Sequence, residues 1–308
     1  MKSGSNLEKI LKAGHFAFTG ELGPPRGTSA EEVRKKAAYL KGKVDAVNIT
    51  DNQTAVVRMA SWAACIILIQ EGLEPNYQMV CRDRNRLAMQ ADILGAYAHG
   101  IRNMLCLSGD HCKFGDHPHA KGVFDIDSMQ LIQMVKKMRD EGKFLSGSEL
   151  EEPPKIFIGA AANPFADPFE WRVHRLAKKI NAGVDFIQSQ CIYNMEKFQE
   201  WIKQSNEMGL TEKVYILAGV TPMKSVGMAK YMKNNVPGMD VPDEIINRLK
   251  GVDKKKQGDE GIKIACEQIE KFKEMKGVSG VHLMAIEWEH KVPEITERAK
   301  VLPRPQVD

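Results

Sequence analysis

One carboxylate, Glu21, is the next-to-last residue of the alternating apolar run HFAFTGEL and lies one residue before Gly-Pro-Pro. An acid placed where a buried strand stops is either a rim residue in solvent or a proton donor held at the mouth of a cavity. Acid catalysis near neutral pH needs a carboxyl that keeps its proton, and removal from water favours that neutral form. Polar residues close the other apolar runs as well. Thr50, Asp51 and Asn52 follow DAVNI, Cys81-Arg82-Asp83-Arg84 follows NYQMV, and Ser108-Gly109-Asp110-His111 follows NMLCL. Asn163 follows KIFIGAAA, Gln188 and Gln190 lie in DFIQSQ, Thr221 follows VYILAGV, and Glu287 lies in GVHLMAIE. A polar residue at one strand end means little, whereas polar residues at nearly every strand end on one rim describe a site. Gln190 offers both a donor and an acceptor, as the edge of a polar heterocycle requires. Gln188 shares its alternation parity.

These residues need a scaffold that brings strand ends together. Eight β-like runs alternate with amphipathic helical stretches: the seven ending in the residues above, with HFAFTGEL first. Helical patterns between them include SAEEVRKKAAYLKG, AVVRMASWAACIILIQEG, RNRLAMQADILGAYAHG and PFEWRVHRLAKKINAG, several closed by Gly, which tolerates the left-handed C′ position. Strands apolar on both faces and separated by helices imply a parallel sheet. Eight such units in 308 residues predict one (β/α)₈ barrel domain over 1–308, with a short N-terminal helix and a loosely held tail, LPRPQVD. Chemistry in such barrels sits at the C-terminal strand ends. A doubly wound sheet is the alternative, but no GxGxxG follows the first strand. The loop SGDHCKFGDHPHAKGVFD is longer than a usual βα connection and reads as a polar lid. Lys254–Lys256 reads as a solvated helix entry or hinge.

Composition narrows the function classes. Lys+Arg exceeds Asp+Glu by 44 − 40, or +4, too weak and mixed for nucleic-acid binding, though compatible with an anionic ligand. No signal peptide is evident, and ASWAACIILI is about half the length of a membrane span, so a soluble, cytoplasmic protein is expected. Six cysteines contain no CxxC pair, which argues against a zinc or iron–sulfur site. The spacing of His111, Cys112, His117 and His119 fits no usual zinc pattern, and no metal is expected.

Taken in order, FTGELGPPRG, VNITDN, LCLSGDH, IGAAANP and LAKKINAGVDFIQSQ resemble successive strand-end motifs of the methylenetetrahydrofolate reductase family, flavin-dependent (β/α)₈ barrels, over about residues 15–290. CRDRNR with GDHPHAKGVFDIDS looks closest to acetogen-type reductases. The resemblance implies reduction of 5,10-methylenetetrahydrofolate to 5-methyltetrahydrofolate by hydride from a reduced flavin. It implies Glu21 as the acid that opens the methylene bridge and Asp110 as the negative charge beside the iminium. Gln190, with Gln188, would bind the pterin. Thr50, Asn52, Ser108, Gly109, Asp110, His111, Ala161, Ala162, Lys178 and Lys179 would hold the flavin.

Two departures stand out. Gln78 replaces a His that many members carry, and Ser108 replaces an Arg that helps grip the flavin phosphates. That puts FAD in question and leaves FMN open. Arg82, or Arg84 or Arg86, could take over the phosphate contact. The electron source would be NAD(P)H or a partner subunit with iron–sulfur or zinc sites, in an oligomer or hetero-complex. The alternatives are a folate-binding methyltransferase-type barrel and a non-catalytic subunit of a one-carbon complex.

Overall fold

The computed structural model describes residues 1–236 and 238–307. Eight strands close a parallel barrel in sequence order: β1 Ala17–Leu22, β2 Ala46–Ile49, β3 Pro75–Val80, β4 Asn103–Leu107, β5 Phe157–Ala162, β6 Phe186–Cys191, β7 Tyr215–Val220 and β8 Gly280–Leu283. Closure comes from β8 pairing with β1, Ala17 opposite Gly280 through Gly20 opposite Leu283. The helices are α1 Asn6–Lys12, α2 Ala30–Leu40, α3 Ser61–Gln70, α4 Arg86–Ala98, α5 Ser128–Asp140, α6 Trp171–Ala182, α7 Met195–Glu207, α8 Val226–Asn235, α9 Asp243–Lys250, α10 Gln257–Glu274 and α11 Val292–Arg298. The architecture is the (β/α)₈ barrel that the alternating pattern predicts.

Local chemistry sets the helix ends. Ser29, Asn85, Asn194 and Ser225 accept first-turn N–H groups of α2, α4, α7 and α8, and Asp127 with Gln130 forms a capping box on α5. Gly183, at φ 112°, ends α6 where a side chain would be strained. Lys254–Lys256 forms the short 3₁₀ turn that leads into α10.

The barrel has an apolar floor. Ala17, Ala46, Leu105, Phe157, Phe186 and Leu217 meet Leu7, Ile10 and Leu11 of α1, which plugs the N-terminal end. Phe157 and Phe186 stack with ring centroids 5.1 Å apart. Acids hold the plug in place. Glu74 accepts the N–H groups of Asn6 (2.6 Å) and Leu7 (2.9 Å) at the start of α1, where the helix dipole favours a negative charge. Glu8 accepts the N–H groups of Lys2, Ser3 and Gly4 at 2.6–2.9 Å. Burial works to raise the Glu8 pKa, but those donors and Lys12 outweigh it and pull it to about 2.

Three sequence expectations need correction. The tail is not loose: Arg304 binds Asp45 at 2.6 and 2.9 Å and the Phe16 carbonyl at 2.8 Å, and Val307 packs on the floor. Asp308 lies outside the described residues. The eighth strand stops at Leu283, leaving Glu287 exposed in a left-handed turn at φ 50°. The helix expected from Ala55 begins only at Ser61, because Asn52, Thr54 and Ala55 take left-handed conformations (φ 41°, 56° and 59°) that break the helix ahead of it. Among the described residues no helix is long and apolar enough to cross a membrane.

A depressed carboxyl stabilises the fold above its unfolded pKa and loses that contribution as pH falls toward the folded value. Glu8→Gln should therefore cost about 1–3 kcal/mol at pH 7, the range for stranded buried donors. The gap from the parent should shrink as pH drops from about 4.5 toward 2. Urea unfolding across that range is the measurement. A gap independent of pH would show that the Glu8 charge does not hold the plug.

Candidate active site at the barrel mouth

Above the floor the interior turns polar. Thr19, Asn48, Asn76, Gln188 and His282 are all at most 3% exposed. Asn48 and Gln188 exchange two side-chain hydrogen bonds, of 2.6 and 3.0 Å. Asn76 donates to Asn48 at 2.8 Å, and Gln188 donates to Thr19 at 3.2 Å. Thr19 Oγ1 lies 3.0 Å from His282 Nδ1, and His282 Nε2 lies 3.6 Å from Glu21 Oε2. Buried polar groups cost free energy unless they are paired, so this layer holds together as a unit.

Over that layer opens a cavity of about 480 Å³ at the C-terminal strand ends. Its wall includes Glu21, Gln78, Ser108, Ala161, Ala162, Gln188, Gln190 and His282. Glu21 is held there by parity and by chain breaking. Thr19 and Glu21 share one face of β1, and Pro24 and Pro25, which lack N–H groups, end the strand. The carbonyls of Gly23, Pro24 and Pro25 accept from Lys36, Arg58 and the Met59 N–H at 3.3, 2.9 and 2.9 Å. The Glu21 side chain is 13% exposed.

Gln190 reaches the wall through a bulge. The β6–β7 register slips between Gln188 and Cys191, and Ser189 accepts the Gly219 N–H at 2.9 Å. Bulges re-aim side chains next to sites. A Cβ at Gly219 would lie 2.4 Å from the Ser189 carbonyl oxygen and 2.7 Å from that of Gln190. Thr221 is buried with its hydroxyl 2.9 Å from Cys191 Sγ. Asn163 also lines the cavity, donating to the Gly238 carbonyl at 3.2 Å.

The cations divide into two groups, and CRDRNR takes the salt-bridged form, the alternative that its sequence leaves open. Arg82 is 2% exposed and fully engaged by Asp83 (two bonds of 2.7 Å) and the Asp110 and Asn52 carbonyls. Arg84 pairs with Asp51 and Asp92 at 2.7 and 2.9 Å, and Arg86 pairs with Asp125 at 2.7 Å. CRDRNR therefore braces loops, and Arg82 is not free to grip a phosphate. The cations that face the cavity are Arg172, Arg175 and Lys179, one face of α6 at i, i+3 and i+7. Lys178, expected as half of a basic pair, is exposed and off the wall. Lys179 donates to the Ala161 carbonyl. Burial, with repulsion from Arg175, lowers its ammonium to about 8.

Other expected residues sit at the rim. Gly109, Asp110 and His111 are exposed and absent from the wall, so the structure brings Glu21 and Gln190 together but leaves Asp110 outside. Asn52 bonds Asp83 at 3.1 Å and accepts from Arg58 at 3.0 Å. Thr50 is 3% exposed, and its hydroxyl has no partner among the described residues. No three His, Cys, Asp or Glu side chains gather as a metal site among the described residues.

Sequence reasoning missed His282, Arg172 and Arg175. Two signals could have found them: His282 is the polar interruption of VHL, and the two arginines repeat at helical spacing on the face that carries Lys179.

A closed parallel barrel with an acid and amides at its C-terminal mouth defines a (β/α)₈ protein of the enzyme-bearing type. The particular family follows from its relatives: the family model "Methylenetetrahydrofolate reductase" matches residues 6–300, and the chain belongs to that family. It is 22% identical over 234 residues to methylenetetrahydrofolate reductase 1 of Schizosaccharomyces pombe, covering 73% of this chain and 35% of the relative. It is 24% identical over 242 residues to methylenetetrahydrofolate reductase 2 of Saccharomyces cerevisiae, covering 75% and 37%. The chain thus spans little more than a third of these curated relatives. An uncharacterized protein from Clostridium thermocellum that binds two copies of 5-methyl-5,6,7,8-tetrahydrofolic acid shares the fold. Its TM-score is 0.63 at 14% identity, covering 97% of this chain and 99% of that one.

Gly219→Ala should destabilise the fold by about 1–3 kcal/mol, the usual penalty for overpacking, and should weaken ligand binding at Gln190. Urea unfolding reads the first and ligand titration the second. An unchanged midpoint would mean the bulge yields easily.

Proposed function

We propose that the chain reduces 5,10-methylenetetrahydrofolate to 5-methyltetrahydrofolate with a bound flavin, Glu21 serving as the acid that opens the methylene bridge. The observation that carries this reading is the shielded Glu21 carboxyl on one cavity wall with Gln190. Opening the bridge requires a proton on the departing N10 of the folate, and Glu21 is the carboxyl on the wall able to give it. Once the proton has gone, the Glu21 carboxylate stabilises the iminium cation beside it. The amides of Gln188 are spent on Asn48 and Thr19, so Gln190 is the glutamine left to hold the pterin edge.

The residues present fit a flavin. The wall carries the polar side chains of Gln78, Ser108 and Ser189, which a heterocyclic ring edge could engage. Ala161 and Ala162 leave the wall smooth, and Arg172, Arg175 and Lys179 offer cations to a phosphate. FAD or FMN bound there would supply the hydride. Asp110 contributes from the rim, through the field of its carboxylate. The reductant is NAD(P)H entering by the open mouth or a partner subunit with an iron–sulfur or zinc centre, in the cytoplasm.

Glu21→Gln should keep the yellow flavin absorbance and lose about 10²–10⁴-fold in methylenetetrahydrofolate turnover, the range for a positioned acid. A colourless parent protein would favour the methyltransferase-type alternative, and unchanged turnover in the variant would remove Glu21 from the acid role.

Lys179 is charged below its pKa of about 8, so flavin affinity should weaken as pH rises from 7 to 9. Fluorescence titration should show that dependence flattened in Lys179→Met. An equal slope in both proteins would take Lys179 out of the phosphate contact.

A further inference from the structure

The polar layer below the cavity fixes more than its own geometry. Asn48 Nδ2 donates to Gln188 Oε1, and Gln188 Nε2 donates to both Asn48 Oδ1 and Thr19 Oγ1. Asn76 Nδ2 adds a third donor to this set, again to Asn48 Oδ1. Flipping Asn48 or Gln188 alone would set N–H against N–H, and flipping Asn76 alone would set oxygen against oxygen. Flipping all three together is the alternative, and it differs in what it strands. As arranged, the layer leaves one acceptor, Asn76 Oδ1, without a partner. Flipped, it would leave a buried N–H donor instead, the rarer and costlier orphan.

The orientation of Gln188 passes to Thr19. Because Thr19 Oγ1 accepts from Gln188, its own O–H must find another acceptor. Two are in reach: His282 Nδ1 at 3.0 Å and the Val281 carbonyl at 3.3 Å. In the competing arrangement Thr19 donates to Val281 and accepts from an Nδ1–H. The Val281 contact is long for an O–H···O bond, which favours Nδ1 as the acceptor and the ring proton on Nε2. That N–H faces Glu21 Oε2 at 3.6 Å, just beyond hydrogen-bonding reach, and such contacts often tighten when a ligand binds. A bare Nε2 there would repel a carboxylate or draw the acid proton inward. The neighbouring Cys191 thiol is pushed up to about 12, by burial above all and also by Glu21, so it stays neutral.

We infer that Thr19 and His282 form a positioning pair for Glu21: the amide layer holds His282 as the Nε2–H tautomer, which reserves Oε2 as an acceptor and leaves the acid proton on Oε1, toward the ligand. This rests on the proposed acid role of Glu21. His282 touches no reacting atom. It acts by deciding which carboxyl oxygen carries the proton.

The first test needs no turnover. The whole protein, labelled with ¹⁵N-histidine, is examined by NMR, and the His282 signals are identified by their loss in His282→Gln. A bare Nδ1 and a protonated Nε2 are expected, with the preference lost in Thr19→Val. A protonated Nδ1 in the parent overturns the inference.

The second test is single-turnover oxidation of the reduced protein by methylenetetrahydrofolate. His282→Leu should slow it about 10–100-fold, less than the ~10²–10⁴-fold of a direct acid because His282 only positions one. His282→Gln, whose amide keeps a donor near the Nε2 position, should recover most of the rate, as should Thr19→Ser where Thr19→Val does not. If the glutamine variant folds and binds flavin but is as slow as the leucine variant, the positioning role is wrong. Glu21→Gln run alongside separates the two failures. Full turnover in that variant defeats the acid assignment, while the tautomer read by NMR stands or falls by itself.

Discussion

The reciprocal amide pair of Asn48 and Gln188 is the contact on which the site depends. Carried on β2 and β6, across the barrel, it spans the interior where most such layers would be apolar. A buried amide whose donors and acceptors are met is rigid, because every rotation away from its partners leaves a group unsatisfied in a medium with no water to replace them. The pair therefore sets the height and orientation of everything attached to it: Asn76 on one side, Thr19 and His282 on the other, and Glu21 at the end of the chain. The apolar floor of Phe157, Phe186 and Leu217, sealed by α1, lies below and keeps water from entering beneath.

Charge is distributed to serve that arrangement. Arg82, Arg84 and Arg86 are each matched by aspartates, so the loops after β2, β3 and β4 are tied to one another around the rim. A guanidinium that is buried and fully engaged cannot also bind a ligand without stranding its partners. The cations that remain on the cavity wall, Arg172, Arg175 and Lys179, lie on α6.

The strands and the rim were legible in the sequence because they rest on short-range rules. Period-two alternation marks the β runs, Gly marks helix ends, and a polar residue following an apolar run marks the mouth. The partners of charges were not legible. CRDRNR allows either cations for a phosphate or a salt-bridged helix start, and Asp51, Asp92 and Asp125, which approach only in the folded chain, decide for the second. His282 was hidden for a related reason. GVHLMAIE reads as one strand with its chemistry at Glu287, but the strand ends at Leu283, and the inward polar residue is then the histidine. Alternation fixes which residues share a face, not where pairing with β1 and β7 stops. Parity left Gln188 and Gln190 equivalent, and only the bulge and the amide pair separate a structural glutamine from one free to meet a ligand.

The Gly-Pro-Pro after Glu21 closes the question that its placement raises. A strand that continued past Glu21 would carry its ladder over the cavity. Two prolines remove the N–H groups that such pairing needs, and their carbonyls turn instead to Arg58 and Met59. The strand ends just past its last inward carboxyl, which leaves Glu21 with the polar layer beneath it and open space above. A residue so placed is largely shielded from bulk water yet open to the cavity, a combination not available one inward position deeper, at Thr19, where the side chain is wholly enclosed.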